Sequence, residues 1–341
     1  MKGLDLCVRE IFHSCEHAYR MLRRLAACAG LALWLGCSGP PAPPEVVGSV
    51  VLVVDLDGPM GCENPEKCTA EYLQLPDRFP FQRSDRGGSL AHRIEDALSG
   101  GQLLAGVHRR ALTVRTIRDG DLRSKRYRAH TPPVRERDVV LEDPFLGSWD
   151  AILLTPRDAP APTPGLVLIP GHTESAAFAR DELFGAWFAG LGYAVLIPTP
   201  RANDAARVED RVTRTLRAGG TSFQAVRAVE VIRAGQALAA FPEVDGTRIA
   251  LLGHSGGSTT NNLVVHLTDT YRALVSDLAT TYEGGNHYGD TRLLLEENTP
   301  RLVPLADEIN RSNPVPTLRV PYGLGPVGDV RTFLGTQLSH P

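Results

Sequence analysis

The hydrophobic and polar positions of the chain follow two patterns, and the change between them falls near residue 165. Before it, the segments "RALTVRTIRDGDLRSKRYRAH" and "DVVLEDPFLGSWDAILLTPRD" alternate apolar and polar residues, which is typical of antiparallel strands with one polar face. After it, "GLVLIPG", "YAVLIPTP", "RIALLG" and "RALVSDL" are short, nearly continuous apolar runs. Such runs indicate strands that are covered on both faces.

Helical patterns lie between the apolar runs. "AFARDELFGAWFAGLG" precedes the second run and predicts one helix that ends at a glycine. "QAVRAVEVIRAGQALAAF" precedes the third and predicts a helix with Arg227, Glu230 and Arg233 along one polar face. "PTLRVPYG" and "VGDVRTFLGTQL" predict a last strand and a last helix. Strands that alternate with helices predict an α/β fold with a mostly parallel central sheet and helices on both faces. The N-terminal part adds an antiparallel β extension, which begins with a predicted strand at 50–54.

Within the first 37 residues, the part from Met21 to Cys37 has the pattern of an export signal. Arg23 and Arg24 precede an apolar stretch at 25–35, which is too short to span a bilayer but suits the core of a signal peptide. Gly36-Cys37 after this stretch resembles the end of a bacterial lipoprotein signal, in which Cys37 is lipidated. "LAAC", ending at Cys28, fits the cleavage pattern better but follows almost no apolar run. A buried N-terminal helix is the alternative interpretation.

We therefore expect an exported bacterial protein, anchored to the membrane by lipid in the periplasm or at the cell surface. Residues 1–20 do not resemble a signal, and Met21 is the alternative start of translation. "SGPPAPPE" after Cys37 predicts an extended, proline-rich tether.

Charge and cysteine content narrow the possible partners. The 341 residues carry a formal net charge of −3 with no basic stripe, so nucleic acid is not an expected partner. Cys62 and Cys68 in "CENPEKC" are expected to form a small-loop disulfide in an oxidising compartment. Two cysteines are too few for a metal site. No metal and no organic cofactor is implied.

One motif carries candidate chemistry. Gly253-His254-Ser255-Gly256-Gly257 lies between the predicted strand "RIALL" and the predicted helix "STTNNLVVHL". A serine nucleophile at such a position projects from a sharp strand-to-helix turn, where larger side chains two residues away on either side would clash. The start of the helix also directs backbone N–H groups at developing negative charge. The context favours Ser255 as a nucleophile, and the alternative is a structural or formerly catalytic turn.

The segment from Gly165 to about Gly323 resembles the α/β-hydrolase fold, and within it the group of dienelactone hydrolases and acetyl xylan esterases. The similar stretches are "LVLIPGHTES", "GYAVLIPTPR", "TRTLRAGG" and "GHSGGS". The resemblance implies a serine hydrolase that cleaves carboxylic esters through an acyl-enzyme on Ser255. It also implies an oxyanion hole made by the backbone N–H groups of His172 and Gly256. The implied substrate is a small-molecule or carbohydrate ester, such as an acetylated carbohydrate.

The base that would activate Ser255 departs from the family pattern. That pattern has a histidine after the last strand, but here the last predicted strand leads into "PYGLGPVGDV". One possibility is that His287 is the base, with Asp277 or Glu283 as its acid. A second pairs Asp329 with His340, and in a third the triad is incomplete. His266 lies along the helix that leaves the turn, so it is expected to point away from Ser255.

The sequence thus predicts a catalytic set of Ser255, His287 and Asp277. The predicted divisions are a leader and signal at 1–37, a tether at 38–46, an N-terminal extension with entry strands at 47–150, and the α/β-hydrolase core at 151–341. The competing class is a lipoprotein that keeps this fold for binding or envelope structure without catalysis. A peptidase has less support, because no motif beyond the turn favours amides.

Overall fold

The computed structural model describes residues 50–56, 88–98, 103–104, 106–127, 132–158, 162–201, 206–218, 221–277, 305–321 and 327–339. Nine strands lie within these ranges: β1 Val50–Val54, β2 Leu112–Asp121, β3 Val134–Asp143, β4 Gly147–Pro156, β5 Thr163–Ile169, β6 Ala194–Pro198, β7 Val244–Gly253, β8 Ala273–Ser276 and β9 Thr317–Arg319. Each apolar run identified in the sequence from residue 165 onward overlaps one of these strands.

The strands form one sheet in the order β1-β2-β3-β4-β6-β5-β7-β8-β9. The pairs from β2 to β6 along this order are antiparallel. The pairs from β6 to β9 are all parallel. The predicted mostly parallel core with an N-terminal antiparallel extension is therefore confirmed, and β4 joins the two parts through β6. The strand at 50–54 is the exception within the extension, because β1 pairs with β2 in parallel.

Seven helices have defined bounds within the described ranges: α1 Leu90–Ala97, α2 Ala176–Asp181, α3 Gly185–Gly190, α4 Ala206–Ala218, α5 Phe223–Ala240, α6 Gly256–Val264 and α7 Val327–Gln337. Residues 305–311 are also helical. None of the helices in the described ranges is both long and apolar enough to cross a bilayer.

The single helix predicted between β5 and β6 is wrong. The structure has two short helices there, α2 and α3, because Phe184 adopts a left-handed conformation with φ 63° between them. Gly185 begins α3 so close to α2 that a Cβ would lie 3.1 Å from Arg180 Cα. The segment thus turns sharply where the sequence pattern alone indicates continuity.

The core is divided between the two faces of the sheet. One face packs against α1, α5 and α6, with core side chains such as Ile94, Val229 and Leu263. The other face packs against α2, α3 and α7, with Ala179, Phe188 and Leu334. The prediction of helices on both faces is confirmed. Helix α5 is buried almost throughout, and the Ser222 side chain caps its first turn by accepting a 3.0 Å bond from Ala225 N.

The charged residues of α5 do not form a solvent-facing stripe as predicted. Glu230 accepts a 2.8 Å bond from Arg201 Nε, and Arg233 Nε donates a 2.7 Å bond to Asp143. All four side chains are buried. Their charges are tolerated because each is paired, and a buried charge without a partner would be costly.

The predicted polar face of the entry strands is also wrong for β3. Residues 136–141 are buried on both faces. Glu136 accepts a 3.1 Å bond from Arg180 and a 3.2 Å bond from Arg118. Glu136, a polar residue in the sequence pattern of this strand, therefore takes part in buried ion pairs and does not face solvent.

The predicted division at residue 150 falls within β4, and the segments on both sides of it contribute strands to the same sheet. The division itself stays a prediction. Cys37, Cys62 and Cys68 lie outside the described residues, so the predicted lipidation and disulfide also stay predictions.

Candidate active site

Ser255 lies on a strained turn between β7 and α6. The strand ends at Gly253, the helix begins at Gly256, and Ser255 has φ 52° and ψ −119°. This is a sparsely populated conformation for a residue with a side chain, and such residues cluster at functional sites. Ser255 is only 3% exposed. The turn has the strand-turn-helix geometry that the glycine pattern predicts, while the role of Ser255 as a nucleophile stays a prediction.

Two glycines make the turn possible. A Cβ on Gly253 would lie 2.7 Å from both the nitrogen and the Cα of Ser258. A Cβ on Gly257 would lie 2.4 Å from the carbonyl oxygen of Ile169. Both contacts are with backbone, which cannot move aside without displacing an element. The two glycines thus let α6 start directly against the ends of β7 and β5.

Replacing Ser255 by glycine is expected to raise the free energy of unfolding by about 1 kcal/mol. Removing the side chain relieves a strain of about 1–3 kcal/mol, and the added freedom of the unfolded glycine offsets about 0.5–1 kcal/mol of it. Urea unfolding measures the difference. The matched variant Ser258→Gly should be destabilised, since Ser258 is helical and its hydroxyl is hydrogen-bonded. Equal destabilisation by both changes would argue against strain at Ser255.

The loop after β5 approaches the same turn. A Cβ on Gly171 would lie 2.9 Å from Ser255 Cβ, and a Cβ on Gly256 would lie 3.6 Å from His172 N. These short distances show how close the loop lies to the turn. Thr173 follows with φ 63°. The backbone nitrogens predicted to form an oxyanion hole therefore belong to adjacent segments beside Ser255.

Asp277 follows β8 and holds the turn. Its Oδ1 accepts a 2.8 Å bond from Ser255 N and a 2.7 Å bond from Ser258 Oγ, while its Oδ2 is hydrogen-bonded to His254 Nδ1. The side chain is fully buried. Asp277 thus connects the end of β8 to the turn at Ser255 and to the first turn of α6.

His254 was not singled out by sequence reasoning, yet its ring lies between two carboxylates. Nδ1 contacts Asp277, and Nε2 lies 3.1 Å from Glu174 Oε1. Burial acts to lower the pKa of His254, but the hydrogen bonds and charges of Asp277 and Glu174 outweigh it and raise the pKa to about 9. The sequence offers one signal for this role of His254, which is an ionisable residue within a glycine motif whose tight turn is expected to be buried.

The other histidines and acidic residues considered from the sequence as partners of Ser255 either have other surroundings or lie outside the described residues. His266 Nε2 lies 3.3 Å from the carbonyl oxygen of Ile309, and burial lowers the pKa of this histidine. Asp329 lies in the first turn of α7, where a negative charge interacts favourably with the helix dipole. His287, Glu283 and His340 lie outside the described residues. Across the part of the chain that the structure describes, no group of three or more histidine, cysteine or acidic side chains could hold a metal ion.

Comparison with solved structures supports the fold. Acetyl xylan esterase 1 from Thermoanaerobacterium sp. JW/SL YS485 is 12% identical to this chain, with a TM-score of 0.50 over 78% of this chain and 98% of that one. An acetyl xylan esterase from Paenibacillus sp. R4 is 14% identical, with a TM-score of 0.48 over 78% of this chain and 99% of that one. No protein-family model and no curated protein matches the sequence. The sheet order, the turn at Ser255 and the first likeness together define an α/β-hydrolase fold.

Proposed function

We propose that the protein is a serine hydrolase that cleaves carboxylic esters through an acyl-enzyme on Ser255. The observation that carries the proposal is the strained turn at Ser255. Holding a buried serine at φ 52° and ψ −119° is costly for stability. It is expected where the hydroxyl must project toward a substrate at the carboxyl ends of the parallel strands.

In the proposed reaction, His287 takes the proton of the Ser255 hydroxyl while Oγ attacks the ester carbonyl carbon. The oxygen of the tetrahedral intermediate is stabilised by the N–H groups of His172 and Gly256. The intermediate collapses, the C–O bond to the alcohol breaks, and His287 returns the proton to the leaving oxygen. Water then attacks the acyl-enzyme with the same base, which releases the acid and restores Ser255. Loss of one oxyanion donor typically costs about 2.7–4 kcal/mol of barrier stabilisation.

His254 is a poor candidate for the base, although it is adjacent to Ser255. A general base must be neutral, and a pKa of about 9 keeps this ring protonated at neutral pH. Both of its nitrogens also face carboxylates. The proposal therefore keeps His287 as the base.

Asp277 is proposed as the acid that orients His287. The support is its position, since the hydrogen bonds of Asp277 with His254, Ser255 and Ser258 hold this carboxylate at the turn that carries the proposed nucleophile. Glu283 is the alternative acid. Glu283→Gln should lower activity only if Glu283 is that acid. Asp277→Asn should lower activity in either case because it disturbs the turn.

The test is p-nitrophenyl acetate turnover by the purified protein, followed by mass spectrometry of the acid-quenched reaction. The proposal predicts an acetyl group on the peptide that contains Ser255, and no such adduct in Ser255→Ala. Ester cleavage with no serine adduct, persisting in Ser255→Ala, would contradict the proposed mechanism. A well-folded protein that is inert to all esters tried would instead favour a binding role for the same fold.

We propose an acetylated carbohydrate as the substrate class, in keeping with export and with the family resemblance of the sequence. Release of acetate from acetylated xylan oligosaccharides should then exceed release of longer acyl groups from matched esters. Measurement of the free acid in both cases decides the preference. A matched amide should be cleaved far more slowly, and the reverse would favour a peptidase.

The location is proposed separately from the chemistry. Lipidation at Cys37 predicts that a bacterium expressing the full gene incorporates labelled palmitate into the protein, and that Cys37→Ala prevents it. Membrane fractionation of the two forms reports anchoring.

A Cys62–Cys68 disulfide predicts that thiol alkylation of the exported protein labels neither cysteine until it is reduced.

A further inference from the structure

His254, Glu174 and Asp277 form a connected cluster beneath Ser255, and the proposed reaction has no role for its histidine. The three side chains come from the turn after β7, the loop after β5 and the end of β8. The His254 ring is 6% exposed and the Asp277 carboxylate is fully buried. Burying a charged group costs free energy unless the group is paired and hydrogen-bonded.

Both nitrogens of the His254 ring face carboxylate oxygens. A carboxylate can only accept hydrogen bonds, so each ring nitrogen satisfies its partner only as an N–H donor. A neutral imidazole has one N–H and would leave one nitrogen lone pair against a carboxylate lone pair. The geometry thus calls for a ring that is protonated on both nitrogens.

Each carboxylate also binds a backbone N–H of a segment that the proposed chemistry uses. Glu174 Oε2 accepts a 2.5 Å bond from Gly171 N, the residue before His172. Asp277 Oδ1 accepts a 2.8 Å bond from Ser255 N. The loop after β5, which carries Gly171 and His172, is called the oxyanion loop below. A chain of contacts therefore connects this loop through Glu174, His254 and Asp277 to Ser255.

We propose that His254 is a positioning residue, an imidazolium that fixes the loop carrying His172 against the turn carrying Ser255. It does not contact the substrate. Its effect on catalysis rests on the proposed function, because a defined distance between His172 N and Gly256 N matters only if these groups bind an oxyanion. The mechanical part, the attachment of the loop to the turn, does not depend on that function.

The charge of His254 is expected to make the protein less stable at alkaline pH. Its pKa of about 9 in the folded protein is above the ordinary value of 6.5, so the folded state holds an extra proton between these limits. The free energy of unfolding should therefore fall as pH rises from about 6.5 through about 9. Among the residues that the structure describes, Asp277 and Glu174 are the charged groups that raise the pKa of His254. Urea unfolding over this range should show a shallower fall in Glu174→Gln, which keeps the shape of the side chain but not its charge.

We call the contacts from Glu174 through His254 to Asp277, which attach the loop to the turn, the clamp. Two measurements that need no substrate test it. The first is ¹⁵N NMR of the histidine rings in the full-length protein, with His254 assigned by comparison with His254→Gln. At about pH 7.5, one unit above the ordinary histidine pKa, both ring nitrogens of His254 should carry protons. Should His254→Gln fail to fold, the resonances that move in Glu174→Gln supply the assignment. A singly protonated ring at this pH would overturn the proposal.

The second measurement is hydrogen–deuterium exchange of the peptide that contains residues 170–174. Exchange there should be faster in Glu174→Gln and His254→Gln than in wild type, with β5 unchanged. His266→Gln is the matched control, since it removes another partly buried histidine whose ring contacts Ile309. Unchanged exchange of the loop in both clamp variants would overturn the proposal.

Kinetics then connect the clamp to catalysis. A displaced oxyanion loop should lower kcat by about 10²-fold in Glu174→Gln, with little change in KM, because the hole acts on the transition state. The alkaline decline of kcat should begin at a lower pH in this variant. If wild type hydrolyses no ester, the proposed function fails, but the NMR and exchange results still decide the clamp. If wild type is active and Glu174→Gln matches it at every pH, the clamp has no catalytic role.

Discussion

Ser255→Ala is expected to lower kcat/KM for p-nitrophenyl acetate by at least about 10⁴-fold, because the alanine has no oxygen to form the acyl-enzyme. The turn itself should survive, since alanine has the same Cβ and the bond from the backbone nitrogen of residue 255 to Asp277 does not need the hydroxyl. Initial rates at several ester concentrations measure the loss, and circular dichroism checks the fold. Ser312→Ala, at an exposed serine remote from the turn in sequence, is the matched control.

His287→Ala should have an effect of similar size, and the double variant should lose little more than either single variant. A nucleophile and its base act as a unit, so their losses do not add. Losses that multiply instead would place His287 outside the unit. The same measurement on His340→Ala decides the second pairing, in which full loss would identify His340 as the base and contradict the proposed role of His287.

Gly257→Ala is expected to destabilise the protein by about 3 kcal/mol or more. The new Cβ would lie 2.4 Å from the carbonyl oxygen of Ile169 and 2.7 Å from that of Pro170. Relief of these contacts requires α6 to move away from the end of β5, which also separates the turn from the oxyanion loop. Overpacking of this kind typically costs about 1–3 kcal/mol, and occasionally more. Urea unfolding gives the change in stability.

Gly256→Ala provides the matched control for stability. Its Cβ would meet His172 N at 3.6 Å, an ordinary van der Waals distance. The substitution also favours the helix that begins there. We therefore expect Gly256→Ala to be close to wild type in its free energy of unfolding. If the two variants were equally stable, the close approach of α6 to β5 would be contradicted.

The architecture could be predicted largely from local pattern. The apolar runs from residue 165 onward are strands because both of their faces are covered by helices, and continuous apolar sequence follows directly from that. The turn at Ser255 was likewise predictable. Gly253 and Gly257 are required by backbone contacts, and this requirement leaves a visible mark in the sequence.

The errors have a common physical cause, which is that partners distant in sequence decide the outcome. Arg233 has the helical spacing of a solvated face, but it pairs with Asp143 on β3. Glu136 has the alternation of a polar strand face, but Arg180 covers it. The break at Phe184 is a separate case, because the residue that adopts positive φ is neither glycine nor proline and so gives no signal in the sequence.

The candidate site was predictable only in part for the same reason. Ser255, Gly256 and His172 follow from motifs within single segments. His254 could not be given its place, since its two partners come from a loop about 80 residues earlier and a strand end about 20 residues later. Such a cluster is defined only once the sheet brings β5, β7 and β8 side by side.

The most direct test of the central claim is the reaction of the purified protein with a fluorophosphonate probe. An activated serine nucleophile attacks the phosphorus, displaces fluoride and remains covalently labelled. Mass spectrometry should locate the label on Ser255, and Ser255→Ala should remain unlabelled at the same site. A well-folded wild-type protein that takes up no label, or takes it up at another residue, would contradict the assignment of Ser255 as the nucleophile.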